Sequence, residues 1–238
     1  MISLQPANDR GLAHAHRGGS EDRGSRPENR PLLLVSGATA TVRRYAAHPH
    51  LGRLIQPRNG NRVADLSTGD LWWAADNDCF QGLDPDAYLN MLSLIATTDT
   101  RKLLFVTVPD VVADSHGTFA LFCAWLPALR KRNLPIALVA QDGLTSDQVP
   151  WGELAALFIG GSTTWKEGPE AAALIHKAHE REVWIHIGRV NTERLLRYFD
   201  ALGIDSFDGT QFSMFPETYI PRWLRRLEHR QIGMVELL

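Results

Sequence analysis

Cysteine is scarce in this sequence: of its 238 residues, only Cys79 and Cys123 are cysteines. Two isolated cysteines exclude a disulfide framework and a structural zinc site built from three or four thiolates. Long apolar runs are lacking too, because runs such as 103–108 are too short to span a bilayer, and the N-terminus lacks the apolar centre of a signal peptide. We therefore expect a cytoplasmic protein with no membrane partner.

An excess of charge of one sign is also absent, since 25 Lys and Arg stand against 27 Asp and Glu, for a formal net charge of −2. This balance neither requires nor excludes nucleic acid, for which a local basic patch matters more than the total. Residues 1–30 lack periodic apolar positions, and we interpret them as a disordered or loosely attached arm. Their five arginines leave a nucleic-acid-contacting arm as the alternative.

From Pro31 onward, short apolar runs alternate with stretches that carry apolar residues at helical spacing. The runs are continuous rather than alternating, which is typical of parallel strands buried on both faces. Eight such runs predict a single-domain (β/α)8 TIM-type barrel over residues 31–238, with a doubly wound open sheet as the alternative. The predicted strands are Leu32–Ser36, Arg53–Gln56, Leu71–Asp76, Leu103–Val108, Ile136–Ala140, Leu157–Gly160, Val183–Ile187 and Asp205–Asp208. The predicted helices are Pro85–Thr97, Ser115–Arg132, Pro169–Arg181, Thr192–Leu202 and Pro216–Arg230.

Carboxylates recur after the predicted strands, at the end where a parallel barrel has its active site. They are Asp76, Asp110, Asp142 and Asp208. Clustered carboxylates can bind a metal, act as acid and base, or attack an electrophilic carbon. One such Asp could equally cap the next helix, but several at one rim favour a function. The pair Gly160–Gly161 follows another strand, where glycine allows a ligand to approach the backbone closely.

Several short motifs occur in a fixed order at these strand ends. Residues 75–81 read Ala-Asp-Asn-Asp-Cys-Phe-Gln, and residues 203–208 read Gly-Ile-Asp-Ser-Phe-Asp. They resemble the T-D-S-G-G-F-Q and G-I-D-x-F-D segments of the tRNA-guanine transglycosylase superfamily. The intervening stretches 139–143, 159–161 and 187–196 resemble further segments of that family, in the same order.

The sequence also departs from the tRNA enzymes of this family. Those enzymes are much longer and carry a zinc site of three cysteines and a histidine near the C-terminus, which this chain lacks. Residues 77–79 also replace the family's S-G-G. The whole pattern resembles the short phage-type branch, whose enzymes place 7-deazaguanine bases into DNA. The resemblance thus implies DNA as the polymer, a fold without the zinc module, and the host cytoplasm as location if a phage encodes the chain.

The resemblance implies a base exchange through a covalent aspartyl-sugar intermediate. Asp208 is expected to attack C1′ of the target nucleotide and displace guanine, and Asp76 is expected to act as general acid and base. The entering free base is expected to be a 7-deazaguanine such as preQ0, and no cofactor or metal is required. The residues expected to bind the base are Asp110, Gln141, Gly160, Gly161, Ile187 and Gly188.

A nucleotide must leave its stack to reach such a site, so we also expect phosphate contacts outside the barrel. The nucleic-acid-binding candidates are Arg58, Arg62, Lys166 and Arg189, the first two in a turn-rich basic loop. We interpret His186, on a predicted strand, as a packed core histidine rather than a ligand.

Three alternatives stay open at the level of the sequence. The same chemistry could act on tRNA instead of DNA. A metal-dependent lyase or hydrolase could hold Mg²⁺ on the four rim aspartates. A non-catalytic subunit could position nucleic acid for a partner. The oligomeric state is not indicated by the sequence.

Overall fold

The computed structural model describes residues 27–28, 30–37, 39–58 and 71–235, with side chains described as far as residue 229. The predicted arm at 1–30 therefore lies almost entirely outside the described residues, and Arg62 lies outside them as well.

Eight parallel strands close into a barrel in sequence order, and the last strand pairs with the first. The predicted (β/α)8 barrel is thus confirmed. The strands are β1 (Leu32–Ser36), β2 (Leu51–Ile55), β3 (Trp72–Ala75), β4 (Leu103–Thr107), β5 (Ile136–Ala140), β6 (Ala156–Ile159), β7 (Trp184–Ile187) and β8 (Ser206–Phe207).

Helices follow the strands and cover the outside of the barrel. Several begin at a side-chain cap: Asp84 accepts a hydrogen bond from the Ala87 N–H, and Asp114 accepts one from the Gly117 N–H. No helix among the described residues is both long enough and apolar enough to cross a membrane. The helices are α1 (Ala40–Arg44), α2 (Pro85–Ile95), α3 (Ser115–Arg130), α4 (Thr163–Lys166), α5 (Pro169–Glu180), α6 (Glu193–Ala201), α7 (Thr210–Met214) and α8 (Pro216–Val235).

The barrel wall separates two apolar cores. Successive residues of a strand point to opposite faces, so one set of side chains fills the barrel and the other packs against the helices. In β7, Trp184 belongs to the inner core, whereas Ile185 and Ile187 belong to the outer core. The inner core comprises Leu32, Leu34, Leu54, Ala74, Phe105, Ala137, Val139, Ala156, Phe158 and Trp184.

Gly52 in β2 shows how tightly the wall is packed. A Cβ at this position would lie 2.5 Å from Leu34 Cδ2 and 2.8 Å from the backbone oxygen of Trp72. The Leu34 side chain has no free space in the filled core, and a shift of the strand backbone would disturb the pairing of β2 with β3.

We expect Gly52→Ala to lower the free energy of unfolding by about 1–3 kcal/mol, because the added methyl group overpacks the wall. Urea unfolding measures this change. Gly152→Ala is the matched control, since a Cβ there meets nothing within 4 Å. Equal stability of the two variants would contradict the packing described for β2.

Candidate functional site

A cavity of ≈ 570 Å³ opens at the carboxyl ends of the barrel strands. Its volume lies in the range of small-molecule sites, and its position is where parallel barrels carry their active sites. Seven of the residues proposed from the sequence line it together: Asp76, Asp110, Gln141, Gly160, Gly188, Arg189 and Asp208.

The pleat of the strands explains why these residues meet. Five of them stand two positions beyond a residue that faces the barrel interior, so they face the same way one layer higher. Asp76 follows Ala74 in this manner, and Gln141 follows Val139. Gly160, Gly188 and Asp208 stand in the same relation to Phe158, His186 and Ser206.

Asp76 is desolvated and has few hydrogen-bond donors. Gln56 Nε2 donates to Asp76 Oδ2 at 3.1 Å, and Thr107 Oγ1 lies 3.4 Å from Oδ1. Burial raises the pKa of Asp76 from 3.8 to about 7, and the negative charges of Asp208 and Asp110 add to the shift. A carboxyl group with this pKa can both donate and accept a proton near neutral pH.

Asp208 lies in the opposite environment, with a donor on each carboxylate oxygen. The backbone N–H of Arg189 donates to Oδ1 at 2.9 Å, and His186 Nε2 lies 3.0 Å from Oδ2. Such donors fix the orientation of a carboxylate. The Asp208 carboxylate is thus held in one orientation and faces the cavity.

Below Asp208, a chain of polar side chains runs through the barrel interior. His186 Nδ1 lies 2.8 Å from Ser206 Oγ, and Trp184 Nε1 donates to the same Oγ at 2.8 Å. His186 is wholly buried, as predicted for a packed histidine, but its bond to Asp208 was not predicted. The signal in the sequence was its spacing, because His186 stands two residues before Gly188, which was predicted to bind the base, and so faces the same side of the strand.

A second polar cluster joins Asp110, Gln141 and Asn77. Asn77 Nδ2 donates to Asp110 Oδ1 at 2.8 Å, and Gln141 Nε2 donates to Asp110 Oδ2 at 2.5 Å. Burial raises the pKa of Asp110, while these two donors and Arg189 oppose the rise. Sequence reasoning did not single out Asn77, which lines the cavity, because it was noted only as a departure from the family motif.

Three of the residues predicted to bind the base make other contacts within the protein. Ile187 points outward into the core between barrel and helices, and its side chain does not line the cavity. The Gly160 N–H donates to the Ala140 carbonyl, and the Gly161 N–H donates to Gln141 Oε1, both at 2.9 Å. These N–H groups are therefore engaged within the protein and are not free to read a base edge. Gly160 still lines the cavity, where a Cβ would lie 2.9 Å from Gln141 Nε2.

The predicted phosphate contacts also change. Lys166 is buried, and its Nζ donates to the Gly188 carbonyl at 2.6 Å, so it is not placed to contact a nucleic-acid backbone. Burial lowers the pKa of Lys166 to about 8. Arg58 is partly exposed and donates to the Gly82 carbonyl at 2.5 Å, which ties it to the turn after β3.

Arg189 stands at the mouth of the cavity and is the basic candidate that touches the site. Its guanidinium donates to the Gly161 carbonyl and lies 5.5 Å from the centre of the Phe80 ring. Its backbone adopts a left-handed conformation with φ 61°. Phe80 itself is 71% exposed and lines the cavity, together with the exposed Met214 and Val112.

Asp142 does not join the other rim aspartates. Both of its oxygens bind Ser162: Oδ1 accepts from the backbone N–H and Oδ2 from the hydroxyl, each at 2.6 Å. Asp142 does not cap a helix itself; it holds Ser162, the residue that caps α4. In the part of the chain that the structure describes, no three His, Cys, Asp or Glu residues are grouped to hold a metal ion.

Cys79 lies beside the carboxylates but is unsuited to nucleophilic attack. Burial and the neighbouring Asp110 and Asp76 raise the pKa of its thiol to about 12. Because the thiolate is the reactive form of cysteine, this thiol is inert near neutral pH.

Comparisons with known proteins show the fold alone. No protein-family model and no curated protein matches the chain. The crystal structure of dihydrodipicolinate synthase from Bacillus clausii aligns with 85% of this chain and 74% of its own, with TM-score 0.53 and 13% identity. The native KDPGal structure aligns with 77% of this chain and 84% of its own, with TM-score 0.47 and 9% identity. The c-di-GMP complex of the PaMucR phosphodiesterase aligns with 61% and 62%, with TM-score 0.39 and 18% identity.

We expect Asp76→Asn to stabilise the protein near neutral pH. The folded-state pKa of about 7 lies above the ordinary value of 3.8, so the fold disfavours the charged form. This penalty is absent below the ordinary value, grows as the pH rises, and is complete above the folded-state value. Because Asp76 is partly open to the cavity, we expect a gain of about 1–2 kcal/mol at about pH 8.

Urea unfolding of wild type and variant at two pH values checks this expectation. The gain should shrink as the pH is lowered from about 8 to about 5, since the wild-type carboxyl group is then largely protonated in the fold. A gain that stays constant over this range would show that Asp76 is not the titrating group.

Proposed function

We propose that the chain is a base-exchange enzyme that replaces guanine in DNA with a 7-deazaguanine base through a covalent bond to Asp208. The observation that carries this proposal is the pair of carboxylates in one cavity with opposite environments. Two N–H donors hold the Asp208 carboxylate in one orientation, whereas burial raises the pKa of Asp76 to about 7. Two carboxylates set apart in this way suit a nucleophile and a proton carrier.

In the first step, an Asp208 oxygen attacks C1′ of the target nucleotide. The bond between C1′ and the guanine nitrogen breaks, and its electron pair leaves with the base. Protonated Asp76 gives its proton to the departing guanine, so the base leaves as a neutral molecule. The sugar is then held as an ester of Asp208.

The second step runs the same chemistry with the entering base. Asp76, now ionised, accepts the proton from the nitrogen of the entering 7-deazaguanine. That nitrogen attacks C1′, the ester bond breaks, and its electron pair returns to the Asp208 carboxylate. The enzyme ends in its starting protonation state, so neither an oxidant nor a reductant is needed.

The cluster around Asp110 suits the edge of a guanine-like base. Guanine presents N1–H and N2–H₂ donors beside an O6 acceptor. Each oxygen of Asp110 accepts one bond from Asn77 or Gln141 and retains a lone pair for a ligand donor. The Gln141 amide has a second N–H that can meet an acceptor. The exposed Phe80 ring at the mouth offers a stacking surface for the base.

The choice of DNA over tRNA rests on the resemblance to the short phage-type branch. Arg189 and Arg58, at or near the mouth, are available for phosphate contacts if their present bonds to backbone carbonyls are exchanged.

An exchange assay tests the proposal. The purified protein is incubated with labelled 7-deazaguanine and with guanine-containing DNA or tRNA, in the presence and absence of chelator. We expect label in DNA, unaffected by chelator, and a covalent protein–DNA adduct in denaturing gels. Asp208→Asn should lower incorporation by about 10³-fold or more and remove the adduct. Asp76→Asn should lower the rate by about 10²–10⁴-fold.

Asp86→Asn is the control, because Asp86 lies exposed on α2 and should leave incorporation unchanged. Label in tRNA alone would keep the chemistry and change the polymer. Absence of label from both polymers, or its loss in chelator, would contradict the proposal and favour the metal-dependent alternative.

A further inference from the structure

We propose that His186 is a positioning residue that orients the Asp208 carboxylate, and that Ser206 and Trp184 fix the imidazole for this task. This inference rests on the proposed function, because it assigns the purpose of the bond between His186 and Asp208 to the nucleophilic step. Nothing in the family motifs points to His186, which lies beneath the cavity.

The direction of the hydrogen bonds follows from the chemistry of the groups. Indole N–H is a donor only, so Trp184 Nε1 donates to Ser206 Oγ at 2.8 Å. The Ser206 hydroxyl hydrogen must then find an acceptor, and His186 Nδ1 lies 2.8 Å away. Among the hydrogen bonds of the described residues, this nitrogen is the acceptor available to that hydroxyl.

An acceptor role for Nδ1 places the imidazole proton on Nε2. That nitrogen lies 3.0 Å from Asp208 Oδ2, and an ionised carboxylate can only accept. The chain therefore runs in one direction, from the Trp184 indole through the Ser206 hydroxyl and the His186 ring to the Asp208 carboxylate. Each group orients the next, as a second group orients a catalytic residue in many enzymes.

The surroundings of His186 restrict the ring further. It is wholly buried, and its centroid lies 4.4 Å from that of Phe158 and 5.2 Å from that of Phe105. Both phenylalanines belong to the inner core, so the ring cannot turn without displacing packed side chains. His186 does not line the cavity, whereas Asp208 does. It therefore acts through Asp208 and does not touch substrate.

The position of the donor suits both steps of the exchange. With one donor on each oxygen, the carboxylate plane is fixed, and each oxygen keeps a lone pair for C1′. In the second step the ester bond to C1′ breaks and the Asp208 carboxylate is released, and the same two donors hydrogen-bond to it. Loss of the His186 donor should thus slow the chemistry without weakening the binding of the base.

The test compares two substitutions at His186 with a control at a second buried histidine. His186→Phe keeps an aromatic ring and removes both nitrogens, whereas His186→Gln can place an amide N–H near the position of Nε2. His50→Phe is the matched control, because His50 is also buried and does not line the cavity. The readouts are kcat and KM for exchange, the rate of adduct formation, far-UV circular dichroism and the ¹⁵N resonances of His186.

We expect His186→Phe to lower kcat and adduct formation by about 10- to 100-fold, the effect of one charge-assisted hydrogen bond, with KM changed less than about twofold. His186→Gln should recover part of this loss, and His50→Phe should retain the wild-type kcat. In the wild-type protein, the ¹⁵N spectrum should show the proton on Nε2 and none on Nδ1.

A folded His186→Phe variant with wild-type kcat would overturn the inference, as would a spectrum with the proton on Nδ1 alone. A rise in KM at unchanged kcat would also overturn it, since His186 would then serve base binding. Absence of exchange by the wild-type protein on DNA and on tRNA is a different result. It would overturn the proposed function, and the catalytic purpose of His186 with it.

Discussion

The alternation of side chains across a closed wall of parallel strands is the constraint on which this structure depends. All eight strands run the same way, so their carboxyl ends meet at one rim. Every second residue of a strand must face the interior, and the last inward position of each strand is lifted above the packed core. That position is where Asp76, Gln141 and Asp208 stand. The cavity is thus the uppermost layer of the barrel interior, built with polar residues in place of apolar ones.

The same layer gives its two carboxylates different electrostatic environments. Asp76, at the end of β3, has Ala74 below it and one close side-chain donor, so desolvation dominates. Asp208, at the end of β8, stands above a polar column within the barrel and beside a turn that presents a backbone N–H. Neither environment follows from the carboxyl group itself. Both follow from the residue type one layer below and from the shape of the adjacent loop.

Much of the fold could be predicted from the sequence. Eight apolar runs that alternate with stretches of helical periodicity are compatible with only a few architectures. The predicted strands agree with the observed ones to within two residues at each end. The rim aspartates were accessible for the same reason, since an Asp directly after a buried strand has to lie at that rim. The short helices α1, α4 and α7 were missed, because four or five residues carry too little periodicity to register as a helix.

The side-chain roles that were missed depend on which face of a strand the side chain occupies and on contacts between residues far apart in the sequence. Ile187 differs from Gly188 by one position, and a single step along a strand reverses the face. The sequence suggested that Lys166 was a surface cation, yet its ammonium group is buried against the Gly188 carbonyl, 22 residues away in the chain. His186 was recognised as buried, but its partner Asp208 lies just after the neighbouring strand. Their contact depends on the register between β7 and β8, which the sequence does not give.

The two donors on Asp208 differ in how they respond to mutation. The imidazole of His186 is lost with any substitution at that position, whereas the N–H of Arg189 belongs to the backbone and survives every substitution except proline. Position 189 is constrained in another way, because its left-handed φ of 61° favours glycine. An arginine at such a position retains strain of about 1 kcal/mol or more that glycine would remove. Glycine at 189 would thus relieve backbone strain and keep the N–H bond to Asp208, but it would remove the guanidinium that is bonded to Gly161 and set against Phe80.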